Sequence, residues 1–354
     1  GRLDSPVTNF DDRKLLTASC CDYLCPLGIK KPVVERAVTK ALEAQKQYIT
    51  ELERRATSVL QKAIGEGRMV IVLASRPYHS DPMIEHKVSQ AIADMGIDVI
   101  TENVASHAAS DVYRNINALS QWAYPNRIFK AAWFVGQHPY PALHIMQLTS
   151  FGCGPDAFIL DEVREILHRH GKNITVLKID DVNNIGSLKL RIRSLVDSVS
   201  LFACGTPAYQ QNKPFTTKPF TNEVRRRTII APFFAEGYSE YLTAIFSMMG
   251  YRLESLPMAN HDDAEERLRE ANNDICYPAT LVVGSLMRAL RSGKYDLTKT
   301  AIGMTQTGGQ CRASNYYSLI KNAMVRNGFS DVPVISVGVG YALENAQPGF
   351  EIPW

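Results

Sequence analysis

Apolar residues at Val34, Val38, Leu42, Ile49, Leu52, Ala56, Val59 and Ala63 recur at three- or four-residue steps, with Gln45 interrupting the stripe. That is the spacing of one helix face, and Pro32 in the first turn with Gly65 and Gly67 at the end bounds a single helix over 32–64. At ~1.5 Å per residue it spans roughly 50 Å and is expected to pack across the body of the protein. The pattern then changes: 69–74 is a continuous apolar run, typical of a parallel strand buried on both faces. Further strands are predicted at 98–101, 131–135 and 174–179, with helices between them.

Periodicity vanishes between Cys204 and Glu223, where Gly, Pro, Thr, Asn and Gln dominate, and this segment is expected to be a linker. The alternation restarts with strands at 228–232, 251–256, 300–304 and 334–337, and a helix from Ala279 to Leu290. The expected fold is α/β: two flavodoxin-like, doubly wound parallel-sheet domains preceded by a long N-terminal helix. The expected segments are 1–67 for the N-terminal part, 68–204 and 225–354 for the two domains, and 205–224 for the linker. No closing helix is evident near Trp354, so a piece of a longer chain is expected.

Composition narrows the function classes. A net charge of +3, with basic residues scattered apart from Arg225, Arg226 and Arg227, gives no nucleic-acid footprint. No apolar run approaches the ~20 residues of a membrane helix, and the N-terminal residues lack signal-peptide order, so a cytoplasmic location without membrane contact is expected. There is no phosphate loop, no dinucleotide-binding glycine turn, no H-E-x-x-H and no G-x-S-x-G. The chain alone is expected neither to hydrolyse ATP nor to bind a nicotinamide.

The chemistry lies with the cysteines. Cys153 stands between Gly152 and Gly154, Cys276 precedes Tyr277-Pro278, and Cys311 follows Gly308-Gly309-Gln310 and precedes Arg312. Each reads as a strand-to-helix turn, where open α/β sheets present ligands. Gly308 and Gly309 let a large group approach the backbone, while Arg312 and a helix N-terminus favour thiolate at Cys311. Taken singly, Cys311 reads equally well as a small buried hydrophobe. Cys276 is weak evidence, because a proline at a helix start is ordinary. Cys153 is the better candidate, because its flanking glycines leave the thiol in an open turn. The chain has no C-x-x-C pair of the structural zinc kind, and soft thiolates from dispersed loops suit iron–sulfur or zinc. Cys20, Cys21 and Cys25 read as a packed N-terminal segment and Cys204 as structural. Arg76, Tyr78 and His79 share a turn at a strand end, as candidates for substrate contact. Arg127 could bind phosphate but reads better as part of a packed corner, and His261, Asp262, Asp263, Glu265 and Glu266 as a solvated helix start.

The segments Arg76-Pro-Tyr-His-Ser-Asp-Pro82, Tyr124-Pro-Asn-Arg127, Gln147-Leu-Thr-Ser-Phe-Gly-Cys-Gly-Pro-Asp156, Leu177-Lys-Ile-Asp180, Asn272-Asn-Asp-Ile-Cys-Tyr-Pro-Ala279 and Thr305-Gln-Thr-Gly-Gly-Gln-Cys-Arg312 resemble the acyl-CoA dehydratase activase-related family, allied to the 2-hydroxyacyl-CoA dehydratases and double-cubane cluster proteins. The resemblance runs from Arg68 to Phe350 and leaves out the residues before the long helix. It implies flavodoxin-like domains with an iron–sulfur cluster between them, held by Cys153, Cys276 and Cys311. A [4Fe–4S] cluster is expected, with a double cubane as the alternative, which needs Cys20, Cys21, Cys25, Cys204 or thiolates from elsewhere. It also implies an ATP-dependent activase as electron donor and a small-molecule substrate, an acyl-CoA among the candidates. A homodimer or a place in a larger chain is expected. The rival readings are a noncatalytic electron-relay or scaffold module, and a zinc site with His79 as a fourth ligand.

Overall fold

The computed structural model describes residues 6–76, 79, 81, 83, 87–106, 116–117, 122–149, 155–179, 185–202, 216–268, 275–306, 312–338, 345 and 347–351. Helix α1 (Arg13–Leu24) starts at Asp12, whose carboxylate accepts the Lys14 and Leu15 N–H groups at 2.7 and 3.0 Å. This satisfies donors that an uncapped helix leaves orphaned. A 3-10 turn over Cys25–Leu27 ends at Gly28 in a left-handed conformation and reverses the chain into α2 (Lys31–Gly65). The two helices pair around Leu16, Val34 and Val38. Ala56, Leu60 and Ala63, at the other end of α2, enter the core of the first sheet. Residues 43–48 between these contacts are exposed. The expected packing across the body therefore holds only for the last third of the helix.

The first sheet has strands β1 (Val70–Ala74), β2 (Asp98–Thr101), β3 (Leu143–Thr149) and β4 (Ile174–Lys178), in the order β2-β1-β3-β4 with every pairing parallel. Helices α3 (Val88–Ala93), α4 (Ala123–Gln137), α5 (Pro155–His168) and α6 (Ile185–Phe202) accompany it. The strand predicted over 131–135 is wrong: those residues lie inside α4. Ile128, Ala131, Ala132 and Val135 are buried at helical spacing, and the partly buried Trp133 and Phe134 complete an apolar run that looks strand-like in sequence. The true third strand, β3, carries His144 and Gln147 and was not predicted. Gly136 lets α4 approach α5 closely, since a Cβ there would stand 2.6 Å from the His170 ring.

The second sheet repeats the topology. Its strands are β5 (Thr228–Ala231), β6 (Arg252–Ser255), β7 (Thr300–Thr305) and β8 (Val334–Val337), all parallel in the order β6-β5-β7-β8. Its helices are α7 (Tyr238–Met248), α8 (His261–Leu268), α9 (Tyr277–Arg291) and α10 (Tyr316–Arg326). Of the expected solvated acidic start, His261, Asp262 and Glu265 are exposed, but Asp263 is buried and pairs with Arg288 Nε at 2.8 Å, and Glu266 pairs with Arg291. Those pairs lock α8 onto α9. Most of the expected linker, 203–215 with Cys204, lies outside the described residues. Among the described residues no helix is long and apolar enough to cross a membrane.

Candidate functional site

The two sheets meet at the start of α5. Ala157 and Phe158, four and five residues past Cys153, are buried in the apolar core of the second sheet with Ile275, Ala279 and Tyr316. The Phe158 ring stacks on the Tyr316 ring with centroids 6.5 Å apart. Tyr316 opens α10 five residues past Cys311, and its hydroxyl lies 3.2 Å from the Sγ of Cys276. Cys276 is the half-buried residue that precedes α9, with Pro278 in that helix's first turn. Ala313, two residues past Cys311, packs against the same cluster. The chain flanking all three candidate cysteines thus converges on one patch.

Polar contacts tie the patch together. Gln306, just past β7, donates from Nε2 to the Ser314 carbonyl at 3.0 Å and from its backbone N–H to Val337 O at 2.7 Å, tying the end of β7 to the start of the segment before α10. Across the seam, the Glu162 carboxylate accepts from the Asn117 N–H at 3.0 Å and from Asn322 Nδ2 at 3.1 Å. Asn117 Nδ2 in turn donates to Asn322 Oδ1 at 2.6 Å. Glu162 is 1% exposed, and burial pushes its carboxyl above the usual range. The knot satisfies groups that would otherwise be costly to bury.

The Arg76 turn reaches the same region. Arg76 Nε donates to Asp156 Oδ1 at 2.9 Å, joining the end of β1 to the start of α5. Burial raises the Asp156 carboxyl, and Arg76 partly offsets that rise. His79 is 1% exposed rather than at the surface, and burial, then the Arg76 charge, hold it down to about 4, so its imidazole is neutral at pH 7. Two acceptors next to the cysteine turns, Asp156 Oδ2 and Gln306 Oε1, are buried without a hydrogen-bond partner among the described residues.

A cavity of about 640 Å³ opens at the carboxyl end of the second sheet. Ala231, Leu253, Met304 and Val337 from the four strand ends contribute to its wall, with Pro278 and Leu281 of α9 opposite. Phe233, Phe234 and Met258 come from the loops after β5 and β6. Tyr316 lines it too, so the cavity reaches the residue in contact with Cys276. Its site is where the strand order reverses between β5 and β7, the crevice in which open α/β sheets bind ligands. Gly303 in β7, which lines the cavity, leaves room for its neighbour in β5: a Cβ there would stand 2.7 Å from an Ile229 methyl.

Of the predicted site residues, Cys153, Cys311, Tyr78, Gly152, Gly154, Gly308 and Gly309 lie outside the described residues, and of Arg312 only the backbone is described, in a 3-10 turn over Arg312–Asn315. Arg76, His79 and Cys276 are described and belong to the convergent region. Among the described residues no group of three His, Cys, Asp or Glu side chains could hold a metal ion. Cys20, Cys21 and Cys25 are free thiols packed against the small core between α1 and α2. The Cys21 thiol is pushed up by the desolvation it meets there and by Cys25. Arg127 is engaged, pairing with Glu102 at 3.0 Å and with Asn103. Sequence reasoning missed Tyr316, Phe158, Glu162 and the two asparagines. Only the position of Tyr316 after a glycine-marked cysteine turn offered a signal.

A family model described as "CoA enzyme activase uncharacterised domain (DUF2229)" matches residues 1–104, which span α1, α2, β1, α3 and β2. This places a family likeness on the N-terminal helices, which the sequence motifs had left out. No curated protein matches the chain. Among solved structures, a two-component response regulator/GGDEF domain protein overlaps 76% of this chain and 91% of its own at 15% identity, with a TM-score of 0.21. Two structures of a LacI family transcriptional regulator from Arthrobacter sp. FB24, one in complex with lactose, overlap 76% and 80% of this chain and 96% and 100% of their own. Their identities are 13% and 12%, each with a TM-score of 0.17. At that level of overlap these structures carry nothing over to this chain.

Proposed function

We propose that this chain is the cluster-bearing part of an iron–sulfur redox protein that takes electrons from an ATP-dependent activase and acts on a small substrate. Cys153, Cys276 and Cys311 would hold a [4Fe–4S] cluster at the seam between the sheets. The observation that carries the reading is the convergence of Phe158, Cys276, Ala313 and Tyr316, chain neighbours of all three thiols, on one apolar patch. Dispersed thiolates in a dry interface are suitable ligands, and burial with hydrogen bonds to sulfur tunes such a centre. The match of residues 1–104 to a CoA enzyme activase domain supports an activase as partner.

The protein's own groups have definable parts in this scheme. The cluster would supply one-electron chemistry at low potential. Tyr316 is placed to hydrogen-bond the Cys276 sulfur, and Phe158 with the core around it keeps water away. Arg76 and Asp156 would fix the Cys153 turn against the first sheet. The cavity beside Tyr316 favours a substrate-handling site over a pure relay. Anaerobic purification with iron and sulfide analysis tests the proposal. About four irons per chain, lost in a triple Cys153→Ser, Cys276→Ser, Cys311→Ser variant, is the expected result. Zinc in place of iron, or iron retained by the triple variant, would sink it.

A further inference from the structure

The cavity at the end of the second sheet differs in chemistry from the seam that adjoins it. None of the described residues lining it is charged, and the polar side chains among them are Ser285, Thr305 and Tyr316. The wall is built of aliphatic, aromatic and thioether side chains, with Phe234 and Met258 at an exposed mouth, 59% and 63% accessible. Cavities of ~300–1,000 Å³ with apolar walls and a few polar groups are the usual form of small-molecule sites. A phosphate, carboxylate or nucleotide seated there would lose its hydration and find no cation among the described lining residues, a cost that burial of an unpaired charge does not recover.

We infer that this cavity binds the uncharged, apolar body of a small organic molecule, with Ser285, Thr305 and the Tyr316 hydroxyl as its hydrogen-bonding partners. The Tyr316 contact with Cys276 then sets the polar end of the bound molecule next to the thiol. Any charged part of the same molecule stays outside, beyond Phe234 and Met258. This adds a substrate class to the proposed site and rests on that reading only for the role of Cys276. Binding itself does not require a cluster.

The test is fluorescence titration of metal-free and anaerobically reconstituted protein with N-phenyl-1-naphthylamine, a neutral apolar probe, followed by competition with decan-1-ol, sodium decanoate and ADP. Saturable binding by both forms, displaced by decan-1-ol at concentrations at least tenfold below decanoate and not by ADP, is expected. Ala259→Trp and Leu281→Trp fill the cavity from a loop and from α9, and each should weaken probe binding at least tenfold while the protein stays folded by circular dichroism. Met248→Gln, on the 89% exposed outer face of α7, should leave binding unchanged and so separates the cavity from general surface stickiness. No saturable binding, affinity unchanged from the unsubstituted protein in both tryptophan variants, loss in Met248→Gln, or displacement by ADP would overturn the inference. Failure to bind iron would leave these titrations intact and would count only against the cluster.

Discussion

The two sheets share one strand order and one all-parallel pairing, yet their carboxyl ends are chemically opposite. The first ends in polar groups: the Arg76–Asp156 pair, the neutral buried His79, and Gln147 and Thr149 near the end of β3. The second ends in an apolar chamber without a charge among the described residues of its wall. The same topology has been put to two uses, because loops and strand-end residues, not strand order, decide what a parallel sheet presents. The polar end holds a turn in place, and the apolar end leaves room for a guest.

The comparison can be broken most severely at Cys276, whose thiol lies 3.2 Å from the Tyr316 hydroxyl of the apolar end. Cys276→Ser should abolish stable iron binding while Cys20→Ser leaves it unchanged, read by iron and sulfide content. Equal retention in both would separate the apolar end from any metal. Next in size, Phe158→Ala should cost about 3–5 kcal/mol in denaturant unfolding, because an α5 side chain is removed from the second sheet's core. Phe129→Ala, confined to the first core, should cost a similar amount but leave the second sheet's hydrogen-exchange protection in place. Glu162→Ala should cost about 2 kcal/mol by stranding the donors of Asn117 and Asn322, and Glu162→Gln should recover most of it.

The smallest effects concern pH. Lys321 is held down to about 8 by burial, so the unfolded chain binds more protons between about 8 and 10.5. Stability attributable to this residue should rise with pH across that window, and Lys321→Met should flatten that slope for the second domain. His144 in β3, lowered to about 4 chiefly by burial, gives the corresponding rise in the first domain between about 4 and 6.5. His144→Gln should reduce it. Urea melts at stepped pH, followed by exchange in each sheet, check both.

How much of this was legible in the sequence follows from the period of each segment. Fully apolar β1 and the glycine-bounded α2 declared themselves, since burial on both faces and a helical stripe leave unmistakable patterns. The run 131–135 misled because a helix buried on most of its circumference has no polar face to betray its period. β3 escaped notice because Gln147 and His144 broke its apolar run, although Gln147 is fully buried. The cysteine turns could be picked out by their glycines and prolines. Their partners could not: Phe158 is an ordinary apolar residue of α5, and nothing in its neighbours says that it faces a different sheet. Glu162 and Asn322 lie 160 residues apart, and hydrogen bonds between such positions leave no local trace.

The geometry of α2 has a mechanical consequence. From its anchor at Ala56 to its start at Lys31 the helix extends roughly 38 Å, held at the far end, among the described residues, by the partnership with α1. A tilt of about 6° at the anchor would sweep the tip through roughly 4 Å, by the same ~1.5 Å rise per residue. The helix is therefore a lever whose fulcrum is set in the first sheet, and whatever grips the α1–α2 tip pulls on that sheet with mechanical advantage.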